Sequence, residues 1–217
     1  PELGEDYRKS LENSKRIASP GCYSTGANVI LKPLISSGIL SKNIPIIINA
    51  VSGYSGGGKS MISYFKEKDH EPFFNYGLNL NHKHLPEIIY HNNLALTPIF
   101  SPSVGNFIQG MIVSIPLHFS WFNNKVDTEK IQFLMEEFYL GANFIKVLKK
   151  DEGVSDKGYF RPDNLVGTNC LDISIFGNND NNQIIISSRL DNLGKGASGA
   201  AIQSMNIALG FDETMGL

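Results

Sequence analysis

The sequence predicts an α+β protein: a mixed, mostly antiparallel sheet covered by helices on one face. Three observations point there. Strand-like runs outnumber helical ones, several follow one another with no helix between them, and the Asn-rich GNNDNNQ reads as a hairpin loop joining two of them. The same pattern argues against a regular βαβ series. With 217 residues, 41% of them hydrophobic, the chain has ample material for a packed core.

Residues 1–18 are polar and charged, with modest helical spacing at Leu3, Tyr7 and Leu11. Pro20-Gly21 signals a turn. Val29, Ile30, Leu34 and Ile35 recur at helical spacing; Pro33 should kink or loosen that helix and Gly38 should end it. IPIIINAVSG, 44–53, is rich in β-branched residues and reads as a buried strand. A short helix is expected over 60–67. NLNHKHLPEIIYHNN should begin extended and turn helical at Pro86-Glu87. ALTPIFSPSVGNFIQGMIVSIPLHFS holds two strands around a turn expected at 101–106. DTEKIQFLMEEFYLG is a helix capped by Asp127 or Thr128. FIKVLK, CLDISIFG and QIIISSRL are strands, and GKGASGAAIQSMNIALG is a final helix rich in small residues. There is no internal repeat.

A net charge of −2 without a basic stripe disfavours nucleic-acid or anionic-membrane binding. The apolar runs fall well short of the ~20 residues of a membrane helix. Two cysteines make no disulfide framework, so a reducing, cytoplasmic setting is expected. No signal peptide is visible, and the chain opens on Pro1 rather than Met, as a fragment or a processed product would.

From Gly53 the chain reads G-Y-S-G-G-G-K-S, which fits the phosphate-cradling pattern G-x-x-x-x-G-K-[ST]. A nucleotide triphosphatase also needs an acidic residue ending a second strand to hold the metal. Asp191 is a poor candidate, lying in a loop-like DNLG, and the antiparallel tendency conflicts with that fold. The better reading is a loop whose glycines let a ligand or cofactor approach the backbone.

Cys22 follows Pro-Gly and opens a helix. A helix N-terminus favours the thiolate, the nucleophilic form, so a lowered thiol pKa is expected; a buried structural cysteine fits the spacing equally. Cys170 looks like inert core. His82 and His84 are two apart, so on an extended segment they share a face, with Lys83 opposite. Glu87, three beyond His84, could orient an imidazole. Beside a thiol, either histidine serves as general acid or base. The rival is a metal site of His82 and His84 with Glu87 or His91.

Taken together, PEL at the start, SPGCYSTG, SGYSGGGK, NHKHLPEI, TPIFSPSVG with IQGM, and RLDNLGKGASGAAIQSMNIALGF resemble the N-acetyl-γ-glutamyl-phosphate reductase family, in its second, shorter type, along residues 1–217. PGCY-x-TG and DNL-x-KGA-x-G together are specific; either alone is shared in part with aspartate-semialdehyde dehydrogenases. The resemblance implies a catalytic domain of the glyceraldehyde-3-phosphate-dehydrogenase-like type. It implies NADPH-dependent reduction of N-acetylglutamyl 5-phosphate to the 5-semialdehyde, in arginine biosynthesis. Cys22 would form a thioester, and His84 or else His82 would act as acid/base. Ser52, Gly53, Ser55, Gly56 and Asn192 would line the NADP(H) site. Tyr54, Lys59, Lys83 and Glu87 are candidate substrate contacts; no metal is implied. The partner would be a further copy of the chain, as a dimer or tetramer.

The sequence departs from the family in Ser24, where Pro or Ala is common, and in Gln109, where many members carry an arginine before the glycine. If that arginine grips substrate, another cation must replace it. The family also begins with a Rossmann domain, roughly 100–150 residues by domain-size priors, and no first strand leading into its fingerprint occurs here. The expected division is therefore 1–18 as the tail of that domain or linker, 19–190 as the catalytic and dimerisation domain, and 191–217 as a C-terminal helix that would pack on the nucleotide domain. Weak NADP binding by this part alone is expected, with an exposed Ala/Gly/Met face on the last helix. Alternatives are a reductase for aspartyl or aminoadipyl phosphate, and a non-catalytic assembly domain.

Overall fold

A computed structural model describes all of residues 1–217. Seven strands form one mixed sheet: β1 (Ile47–Gly53), β2 (Phe73–Asn75), β3 (Ile99–Gly105), β4 (Met111–His118), β5 (Ile145–Val147), β6 (Leu171–Asn178) and β7 (Gln183–Leu190). Their spatial order is β2-β3-β1-β4-β7-β6-β5. Only β1 with β3 and β5 with β6 run parallel. The remaining neighbours are antiparallel, as the sequence pattern predicts.

Six α-helices accompany the sheet: α1 (Glu5–Glu12), α2 (Cys22–Ser36), α3 (Gly58–Tyr64), α4 (Leu85–Asn92), α5 (Thr128–Phe138) and α6 (Gly199–Ala208). Strand β4 alternates buried and half-buried residues along its length, so one face carries the core. Val29, Ile30 and Leu34 of α2 pack there with Val113, Ile115, Ile184, Ile186, Ile131 and Met135. Helix α2 lies close to the sheet at Gly26, where a Cβ would sit 2.7 Å from Val113 Cγ2.

Several expectations change in three dimensions. Helix α2 continues through Pro33 to Ser36. Proline removes the N–H that would bond to Val29 O, and the buried Tyr139 hydroxyl donates to that carbonyl instead, at 2.7 Å. The turn expected at 101–106 is part of β3, and the chain reverses over 106–110. Pro102 is tolerated because its carbonyl faces Tyr76 N–H, beyond the last paired residue of the short β2, so no strand awaits its missing donor. The segment before His82 is turns rather than extended chain, and the short strand β2 had no clear pattern in sequence. The last helix opens with a π-helical turn, Gly194–Ser198.

Other local signals hold. Gly38 sits at φ 72° just past α2. Asp127 caps α5 by accepting from Lys130 N–H at 2.8 Å. Helix α1 packs on α6, and Glu2 pairs with the buried Lys195 of the π-turn, with Gln203 bonded to both. Lys195 holds Glu2 down to about 2 against the cost of burial. On its outer side α6 exposes Ala201, Met205 and Leu209. No helix is long and apolar enough to cross a membrane.

Candidate active site

The site lies where β1, β3 and β7 end and β4 begins. Gly21 is the extended residue before α2, and Cys22 is its first helical residue. Gly196 of the π-turn backs Cys22: a Cβ there would sit 2.7 Å from Cys22 Cβ. Burial pushes the Cys22 thiol above its ordinary value, outweighing the N–H groups of Tyr23 and Cys22 that favour the thiolate. The helix terminus alone therefore does not produce the depressed thiol expected from sequence.

His82 and His84 meet in a turn that opens α4, with Leu85 N–H bonded to His82 O at 3.0 Å. Their rings are 4.8 Å apart, and both lie against Tyr23. His84 lies over Gly21, where any Cβ would collide with the imidazole, Nε2 first. Only glycine lets the imidazole lie this close to the residue before Cys22. His84 Nδ1 is buried without a partner. Burial first, then the charges of His82 and Lys83, hold His84 down to about 4. Burial and Lys83 also lower His82. At neutral pH the pair is thus a neutral thiol and a neutral imidazole.

Glu87, one helical turn beyond His84, accepts Gly21 N–H with both carboxylate oxygens, at 3.2 and 3.3 Å. It tethers the turn before Cys22 to α4. Lys83 is exposed, and its charge acts on Cys22 and on both histidines. Lys59 is exposed on α3, and Tyr54 stacks on Phe65 at 4.7 Å.

The glycine loop forms the other wall. After β1 it makes a tight 3₁₀ turn, Tyr54–Gly57, and leads into the seven-residue α3. Gly53, Tyr54 and Ser55 donate their N–H groups to Gly110, Phe107 and Ile108 carbonyls. Those three donors are consumed by protein. Asn192, 3% exposed, accepts Gly110 N–H at 2.7 Å and donates to Ser55 Oγ at 3.0 Å. Gly56 is closely flanked by polar groups; a Cβ there would stand 3.2 Å from Ser52 Oγ and 3.3 Å from Asn192 Nδ2. Hydroxyl and amide groups such as these could pair with the carboxamide of a nicotinamide ring.

Sequence reasoning missed Gly196, the contact of Gly21 with His84 and the structural role of Asp191. Gln109 donates to both Asp191 oxygens, at 2.8 and 2.6 Å, and Gly167 and Leu193 N–H groups complete the set. Gln109 is thereby turned toward protein rather than substrate. Gly194, Gly196 and Gly199 follow the spacing G-x-G-x-x-G, a usable signal. Their reason is packing: a Cβ would strike Thr168 O, Cys22 and Asn169 Oδ1 respectively. No three His, Cys, Asp or Glu side chains are placed to hold a metal. A separate cavity of about 210 Å³ lies behind the turn before Cys22, lined by Asn28, Glu87, His91 and Lys195, and does not include Cys22.

Comparison with known proteins matches residues 22–192 to the family model "Semialdehyde dehydrogenase, dimerisation domain". An N-acetyl-gamma-glutamyl-phosphate reductase 2 from Nostoc sp. is 43% identical over all of this chain and 70% of its own length. An N-acetyl-gamma-glutamyl-phosphate reductase from Brucella ovis is 40% identical over 96% of the chain and 69% of its own length. Among solved structures, aspartate semialdehyde dehydrogenase II from Vibrio cholerae superposes with a TM-score of 0.70 at 15% identity, over 96% of this chain and 67% of that one.

Proposed function

Since the chain belongs to the N-acetyl-γ-glutamyl-phosphate reductases of the semialdehyde dehydrogenase family, we propose that its cleft reduces N-acetylglutamyl 5-phosphate to the 5-semialdehyde by a cysteine thioester. The observation that carries this reading is Cys22 at a helix N-terminus, backed by Gly196, with His84 lying over the preceding Gly21. It is an oxidoreductase of arginine biosynthesis.

A neutral His84 is ready to accept a proton, which a charged one is not. As Cys22 Sγ attacks the acyl carbon, its proton passes to His84 and the C–O bond to phosphate breaks; the phosphate takes a proton from water. Protonated His84 then faces the carbonyl oxygen as negative charge develops there during reduction. When the C–S bond breaks, the semialdehyde leaves and the thiolate regains its proton from His84. A nicotinamide cofactor bound at Ser52, Gly53, Ser55, Gly56 and Asn192 supplies the hydride, and we assign it as NADPH. Exposed Lys83, beside the cleft, is the better-placed cation for substrate phosphate; Lys59 is the more remote. Glu87 is better explained as a tether than as a substrate contact. The matched dimerisation model supports association with a second copy, for which the outer sheet face, with Ile99, Phe176 and Ile185 exposed, is suited.

The test uses the protein encoded by its full reading frame. Turnover of N-acetylglutamyl, aspartyl and aminoadipyl phosphates is compared with NADPH and NADH. The proposal expects N-acetylglutamyl phosphate and NADPH to lead by at least about tenfold in kcat/KM, about 1.4 kcal/mol. A preference for aspartyl phosphate would overturn the substrate assignment.

A further inference from the structure

We propose that His82 is a positioning residue, fixed as the Nε2–H tautomer, whose Nδ1 holds the backbone of His84 in register with Cys22. The inference rests on His84 as the acid–base group of the proposed reaction. It separates two histidines that the sequence leaves interchangeable.

The hydrogen bonds divide them. His84 backbone N–H donates to His82 Nδ1 at 3.2 Å. A ring nitrogen that accepts carries no proton, so a neutral His82 must carry its proton on Nε2. That nitrogen faces the Tyr76 hydroxyl at 3.5 Å. Both edges of the His82 ring are therefore directed at protein. The ring is also wedged edge-on against Phe100, at 5.0 Å between centroids, and against Tyr23 and Tyr76.

His84 has the opposite arrangement. Its Nδ1 has no partner, and its Nε2 lies against Gly21 beside the nucleophile. No side-chain hydrogen bond orients its ring. Contact with Gly21, Tyr23 and His82 restrains it, together with the anchor on its own N–H. That N–H stands at the entry to α4, whose first turn has no other side-chain cap. Losing the anchor frees the turn 82–85 and lets the imidazole drift from Cys22. A shift of about 1 Å in a reacting group costs roughly 100-fold in rate.

The test exploits the geometry of amide side chains. Asparagine places its oxygen near the position of histidine Nδ1, and glutamine places its own near Nε2. H82N keeps an acceptor for His84 N–H, whereas H82Q and H82A remove it. The proposal expects H82N within about threefold of wild-type kcat. H82Q and H82A should lose about 10- to 100-fold in kcat with little change in KM. If H82N falls as far as H82A, the imidazole itself is needed and the proposal is wrong. If all three stay within threefold, the anchor does not matter and the proposal is equally wrong.

A second measurement is independent of turnover. Imidazole ¹⁵N NMR on the wild-type protein should show His82 with a bare Nδ1 and a protonated Nε2. A protonated Nδ1 overturns the proposal whatever the kinetics. Absence of turnover with every acyl phosphate would instead count against the reductase reading, and the NMR tautomer still decides the anchor.

Discussion

At the site end of the sheet, side chains reach across the chain to hold backbone. Asn192 binds Gly110 across 82 positions and Ser55 across 137, and Glu87 binds Gly21 across 66. At the opposite end, local bonds stand beside those by which Asn179 ties Thr128 and Glu129 to the hairpin. Asp127 caps Lys130 three residues on, His118 faces Ser120 two on, and Asn178 accepts from Asn181 three on. Those short-range caps and turns are ones each segment can form by itself. The site end exists only when β1, β4, β7 and α2 are already in place. A damaged local turn should therefore cost stability alone, whereas a damaged site contact should also cost chemistry.

The largest expected contrast is between the cysteines. C22A should abolish reductase turnover, by at least about 10³-fold, while C170A stays within twofold. Equal losses in steady-state kinetics would remove Cys22 as nucleophile.

Two glycines sharpen the comparison further. An added Cβ collides with His84 at Gly21 and with Thr128 at Gly177, one at each end. Both G21A and G177A should lose about 1–3 kcal/mol in denaturant unfolding from overpacking. Only G21A should also lower kcat, by tenfold or more. Equal kinetics in the two variants would mean that the His84–Gly21 contact is packing alone.

N192A removes the acceptor for Gly110 N–H and the donor to Ser55. Leaving those groups unpaired should cost about 1–3 kcal/mol, read by chemical denaturation, and weaken nicotinamide cofactor binding in titration. Loss of stability with unchanged binding would confine Asn192 to the scaffold.

A pH dependence follows from His84. Its folded value of about 4 lies below the ordinary 6.5. The unfolded chain thus binds the proton first, so stability is complete above pH about 6.5 and declines as pH falls toward 4. Urea midpoints across that range should slope downward, and H84N should flatten the slope. A slope unchanged in H84N would assign the effect to other groups.

The smallest effect belongs to the far end. D127A loses a helix cap worth about 1 kcal/mol, lowering Tm by about 2–4 °C, with turnover unchanged.

Much of this molecule is determined by its sequence alone. Runs of β-branched residues, the cap at Asp127 and the stop at Gly38 specify local structure because each acts within a few residues. The segments around Cys22, His84 and DNL were legible for the same reason: each is short and recognisable. Tertiary structure decided the rest. Pro33 stays inside a helix because Tyr139, from another helix, satisfies the freed carbonyl. The N–H groups of Gly53, Tyr54 and Ser55, at the start of the phosphate-loop pattern, are taken by residues 107–110. The thiol rises rather than falls because burial, a property of the assembled cleft, outweighs the local helix terminus. Gly21 and Gly196 look like ordinary flexible positions in sequence, yet each leaves the space that His84 or Cys22 fills. Local hydrogen bonds and propensities are written in neighbouring residues; steric exclusion and desolvation depend on residues that only folding brings together.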